Sequence, residues 1–201
     1  MRVLLNTLGL AVLIIAPAGA RDLNVAEVTP QGVACVFAKT CAVTPTDSYG
    51  VVKLFGDGGA GRLLTRTYPG LPGTPAAGLT GYSLQLDMSD TTALGTANCV
   101  EKLSVDTGPL VSLPYAGRTN ADIFTVKEPG ALAPSSVKQS GGRVTFSFAK
   151  PICPQSSGYG RSGPLRSVYF GFAARGAPIP AKAQVTGSME GTTADVRVPK
   201  H

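Results

Sequence analysis

The chain contains a single histidine, and it is the last residue, His201. An imidazole at the very end cannot furnish a Ser-His-Asp or Cys-His constellation or a histidine-based metal site within a folded core, so histidine chemistry is excluded. Tryptophan is absent, which removes the usual platform for stacking sugars. Charged residues make up only 15% of the 201 positions. No stretch of a dozen residues free of Gly and Pro carries a helical apolar stripe, which argues against a helical protein. There is no C-x-x-C pair to suggest redox catalysis or a zinc ribbon. The glycine-rich run Gly56 to Gly61 has no following Gly-Lys-Ser/Thr, so it is a turn and not a phosphate cradle.

The first apolar run is an address. Met1 and Arg2 precede a stretch over 3–16 interrupted only by Asn6, Thr7 and Gly9, and Ala18-Gly19-Ala20 follows Pro17. That order of basic, apolar and small residues predicts a secretory signal over 1–20, cleaved after Ala20. At about 14 residues the run falls short of the ~20 that span a bilayer, so no membrane span is expected after cleavage. The remainder, 21–201, is expected to form a single disulfide-bonded β domain in the periplasm or outside the cell.

Four cysteines, Cys35, Cys41, Cys99 and Cys153, suit that compartment as two disulfides with three connectivities open. The favoured pattern is Cys35–Cys41 with Cys99–Cys153, because residues 38–40 can turn and join the near pair. Pairing Cys35 with Cys99 and Cys41 with Cys153 is the alternative.

Period-two alternation dominates from residue 49 onwards. Over 143–149, Val144, Phe146 and Phe148 face one way. Over 167–175, Val168, Phe170 and Phe172 do the same. Over 81–88, Tyr82, Leu84, Leu86 and Met88 alternate with Ser83, Gln85 and Asp87, predicting a solvent-facing polar side. Segments 49–55 and 62–67 flank the glycine turn as a hairpin. Further strands are expected at 33–37, 99–105, 110–114, 122–126, 182–186 and 194–198, and one short helical turn at 90–97. With 25 Gly and 16 Pro supplying turns, the pattern predicts an all-β antiparallel sandwich of about nine to eleven short strands, with a closed barrel as second choice.

Charge is uneven along the chain. Residues 21–137 carry 8 basic and 10 acidic side chains, whereas 138–201 carry 9 and 2. If strands 143–149 and 167–175 are antiparallel neighbours, basic residues gather at both ends of that hairpin. One end adds the loop 151–165 with Tyr159 and Arg161. Lys150, Tyr159, Arg161 and Arg166 are therefore the candidate ligand-binding residues, a ring for stacking beside cations for an anionic group. The competing explanation is a solvated basic surface.

Other motifs carry less. Ser135/Lys138 and Ser147/Lys150 match S-x-x-K, but the second lies in a strand, where residues three apart point to opposite faces, and no K-T-G partner is convincing. Asp87 and Asp90 lack the calcium-loop pattern. No cofactor, metal site or nucleic-acid partner is expected. The expected function is a secreted or periplasmic, non-enzymatic binding or structural module of the cell envelope, contacting an anionic glycan or an envelope protein. The alternative is a hydrolase of extracellular glycans using Glu101 and an Asp brought near it, since glycoside hydrolysis needs only two carboxylates.

Overall fold

The computed structural model describes residues 19–54, 56–93, 98–118, 120–128, 131–155 and 164–201. Of the expected leader, only Gly19 and Ala20 fall among them. The described residues form fifteen strands and one α-helix. In chain order these are β1 (Arg21–Asp22), β2 (Val25–Val28), α1 (Pro30–Phe37), β3 (Thr46–Val52), β4 (Asp57–Gly59), β5 (Gly61–Pro69), β6 (Thr80–Asp87) and β7 (Thr91–Ala93). Then follow β8 (Val100–Asp106), β9 (Leu110–Val111), β10 (Ile123–Val126), β11 (Ser136–Ser140), β12 (Arg143–Ile152), β13 (Tyr169–Ala174), β14 (Pro178–Gly187) and β15 (Gly191–Pro199).

A six-stranded sheet, ordered β1-β11-β12-β8-β14-β15, packs on a seven-stranded sheet ordered β2-β10-β13-β6-β5-β3, to which β9 adds beside β13. Nearly every pairing is antiparallel, and this is the expected sandwich rather than a closed barrel. Between the sheets lie Leu103, Val105, Val144, Phe146, Phe148, Val185 and Val196 from one side and Leu63, Tyr82, Leu84, Leu86, Phe170 and Phe172 from the other. Phe146 meets Phe170 at 4.6 Å between ring centres, and Tyr82 stacks on Phe172 at 5.2 Å. Fully burying each such side chain contributes about 1.5–3 kcal/mol.

Both flanks of the sandwich are closed. On one, the chain crosses between sheets: β1 pairs with β11 and, after buried Leu23, β2 pairs in parallel with β10. On the other, β3 crosses so near β15 that a Cβ on Gly50 would stand 2.1 Å from the Asp195 carbonyl oxygen.

Four expectations are corrected. Residues 33–37 are helical, not a strand: Thr29 accepts a hydrogen bond from Gly32 N–H at 3.0 Å, and Pro30 occupies the first turn, where its missing N–H costs nothing. The β-branched Val33 and Val36 suggested a strand, but burial of Val33, Ala34, Val36 and Phe37 against the sheet overrides that preference. Conversely, Thr91–Ala93 within the expected helical turn is strand β7, paired with β4. Segments 143–149 and 167–175 are not neighbours, because β12 and β13 belong to opposite sheets. The polar side of β6 is not open to solvent: Ser83 and Gln85 are only 5% and 8% exposed.

That last correction reveals a second core. The outer face of the seven-stranded sheet is covered by α1, by the chain around Ala76 and Leu79, and by the turn at Tyr115, which together bury Ala26, Val28, Phe37, Tyr68, Phe124 and Ala173. Phe37 sits edge-on to Tyr68 at 4.8 Å. The bonds Cys35–Cys41 and Cys99–Cys153 are formed, the pairing favoured from spacing. The first ties α1 to the chain that follows it, and the second joins the start of β8 to the end of β12.

Candidate functional site

Strand register builds a hollow in this outer face. One row crosses six neighbouring strands as Ala26, Phe124, Gly171, Ser83, Arg66 and Asp47. In the middle of the row stand a glycine and a serine, so the sheet is thin there while Phe124 and Arg66 rise on either side. Gly171 is required, since a Cβ on it would lie 2.0 Å from the Tyr82 carbonyl oxygen. Pro30, Val33 and Ala34 of α1, with Val43 and Pro45 beyond it, roof the hollow. The result is a recess of about 330 Å³, with apolar walls that include Tyr68, Phe124 and Val126. Its volume is at the lower end of the range that small ligands occupy.

Polar groups are few and placed at two levels. On the floor, Ser83 makes no hydrogen bond through its hydroxyl among the described residues. At the rim, Arg66 donates through Nε and Nη2 to Asp47 at 3.1–3.2 Å, and its guanidinium lies 4.9 Å from the centre of the Tyr169 ring. Burial works against the Arg66 charge, yet Asp47 and the neighbouring phenols outweigh it and raise its pKa further. Burial pushes the Tyr169 phenol up despite the pull of Arg66, so it stays neutral, and Tyr68 moves up for the same reason. Glu128, which also bears on Tyr169, is held by Arg166 at 2.9 Å. The rim is thus the Arg66–Asp47 pair beside a neutral phenol.

Comparison with family models, curated proteins and solved structures finds no match.

Of the described residues singled out from sequence, neither Lys150 nor Arg166 lines this recess. Lys150 is exposed on β12, Arg166 is engaged by Glu128, and Tyr159 and Arg161 lie outside the described residues. With β12 and β13 in separate sheets, the basic hairpin does not exist. Cations of the basic final third instead reach back to earlier acids: Lys138 to Asp22, Arg143 to Asp106 and Arg166 to Glu128. Lys182 pairs with Asp195 on β15. Three of the nine cations in that third thus meet acids of the earlier chain, which reduces the asymmetry without removing it. The basic grouping that survives is a trough on the outer face of the six-stranded sheet, lined by Lys102, Lys138 and Arg143 with Ser140, Thr145 and Ser147.

The carboxylates are mostly committed as well. Eight of the twelve acids are in ion pairs among the described residues. Asp106 is lowered chiefly by its bond from Arg143. For Asp122, burial pushes the pKa up, but Ser112, the Asn24 N–H and Arg21 outweigh it. A general acid needs a shift in the opposite direction. Glu101 is half-buried on β8 and makes no ion pair or hydrogen bond among the described residues.

Ser83, Arg66 and Tyr169 escaped the sequence reading because their adjacency exists only once three strands are in register. The one local signal available was Thr29-Pro30, which starts the helical roof.

Proposed function

We propose that this chain is an exported, non-enzymatic binding module of the cell envelope that holds an apolar ligand group in the recess beneath α1. The observation that carries this reading is the recess itself, an apolar hollow onto which the Ser83 hydroxyl opens and whose polar rim is fixed by the Arg66–Asp47 pair. Two disulfides favour an oxidising compartment, and no described helix is long and apolar enough to cross a membrane. The commitment of most acids to ion pairs speaks against carboxylate catalysis. The test is binding of the neutral fluorescent probe N-phenyl-1-naphthylamine, whose emission rises in apolar surroundings. The protein should bind it at a single site. Val43→Trp, placed at the edge of the roof outside any helix or strand, should abolish binding with circular dichroism unchanged. Equal binding by the variant would refute the assignment.

A second reading, contact with an anionic polymer, draws support from the trough of Lys102, Lys138 and Arg143. Two of its three cations already face carboxylates, so the net field is modest. Retention on an anionic polysaccharide at low salt, lost in Lys102→Glu with Lys138→Glu, would support it. Retention unchanged by the pair would end it.

A further inference from the structure

Resting on the reading of the recess as a ligand site, we infer that its ligand is uncharged: a single alkyl or acyl chain bearing a hydrogen-bond acceptor that meets the Ser83 hydroxyl. Three observations select this class. Arg66, the cation that lines the recess among the described residues, is bound to Asp47, so a carboxylate or phosphate entering there would compete with a carboxylate already in place. Beside Arg66, Tyr169 is held in its neutral form and offers the incoming group a ring rather than a charge. On the floor, Ser83 is 5% exposed, lines the hollow and has no hydrogen-bond partner among the described residues. Its hydroxyl opens onto the hollow and is not a sealed-in orphan, so it is free to donate to an acceptor atom on the ligand. The apolar walls of Val33, Val43, Phe124 and Val126 suit an aliphatic chain, and about 330 Å³ lies at the small end of the range for ligand cavities.

The experiment is displacement of bound N-phenyl-1-naphthylamine from the purified protein, both disulfides intact, by 1-decanol and by decanoate at neutral pH. Decanol should displace the probe at concentrations at least about ten-fold below decanoate. Ser83→Ala should weaken decanol by about five-fold, the scale of one neutral hydrogen bond, with displacement corrected for the probe affinity measured on the same variant. Decanoate acting equally well or better, or decanol affinity unchanged in Ser83→Ala, overturns the inference while the recess remains a binding site. Absence of probe binding, or binding that survives Val43→Trp, removes the recess assignment and the inference with it.

Discussion

The two disulfides differ in access and in the loop they close, and this yields a graded reduction experiment. Cys35 is exposed and Cys41 half-buried, whereas Cys99 and Cys153 are 0% and 2% exposed. The first pair is 6 residues apart and the second 54. On the chain-entropy account, closing these loops stabilises the fold by about 2 and about 4 kcal/mol respectively. Mild reductant under native conditions, followed by alkylation and peptide mapping, should therefore label Cys35 and Cys41 while Cys99 and Cys153 remain joined. The partly reduced protein should keep its β-type circular dichroism, because neither sheet uses α1, and its urea unfolding free energy should fall by about 2 kcal/mol. Probe binding should fall further than stability does, since the bond being cut ties down the helix that roofs the recess. The matched variants Cys35→Ala/Cys41→Ala and Cys99→Ala/Cys153→Ala should show the same ranking. Release of Cys99 and Cys153 together with the first pair, or equal losses in the two double variants, would refute the argument from burial and loop length.

Asp122 gives an acid-side test: its carboxyl is held below the usual range when folded, so its contribution is present above the unfolded value near 3.9 and is lost as pH falls through the folded value. Asp122→Asn should be less stable at pH 7 by about 1 kcal/mol and lose less than the parent between pH 5 and 2; parallel pH profiles would contradict this. On the alkaline side, burial raises Tyr82 to about 12 and also raises Tyr68, Tyr115 and Tyr169. Their stabilisation is complete below about pH 10 and is lost as pH climbs through the folded values, so ultraviolet titration should show these four phenols ionising above 10, with or after unfolding. Thr65 Oγ1 and Tyr115 Oη are buried without hydrogen-bond partners among the described residues, so Thr65→Val and Tyr115→Phe should be neutral or stabilising by about 1 kcal/mol in urea melts. A loss of that size would reveal an unseen partner. Gly50→Ala drives a methyl toward the Asp195 carbonyl oxygen and should cost about 1–3 kcal/mol, whereas an unchanged melting temperature would mean that β3 and β15 are not pressed together.

What could be read from sequence followed the strength of the alternation. Phe146 and Phe148, or Phe170 and Phe172, lie at period two between turn residues, and strands β12 and β13 stand where that pattern puts them. Short or polar strands carried no such signal. In β11, Val137 and Gln139 are the buried positions, and β1, β2, β4 and β7 run two to four residues each. Partnership between strands was not legible either. Segments 143–149 and 167–175 looked like the two arms of one hairpin, but nothing local states that β12 and β13 lie in different layers. The recess failed to register for the same reason: alternating Ser83 and Gln85 normally mark a wet face, and only the covering helix makes them interior. Hydrophobic α1 resembled a strand because eight residues give barely two helical turns over which a period can show.

The crossing of residues 21–28 between the two sheets sets an order on assembly. Arg21 binds Asp122 and Gln139, partners 101 and 118 positions later in the chain, and β2 joins β10 at a similar remove. The earliest-made strands thus wait on segments synthesised long after them, and one flank of the sandwich stays unzipped until β10 and β11 have arrived. A chain built this way cannot complete itself from its beginning, which keeps a growing polypeptide pliable until most of it exists.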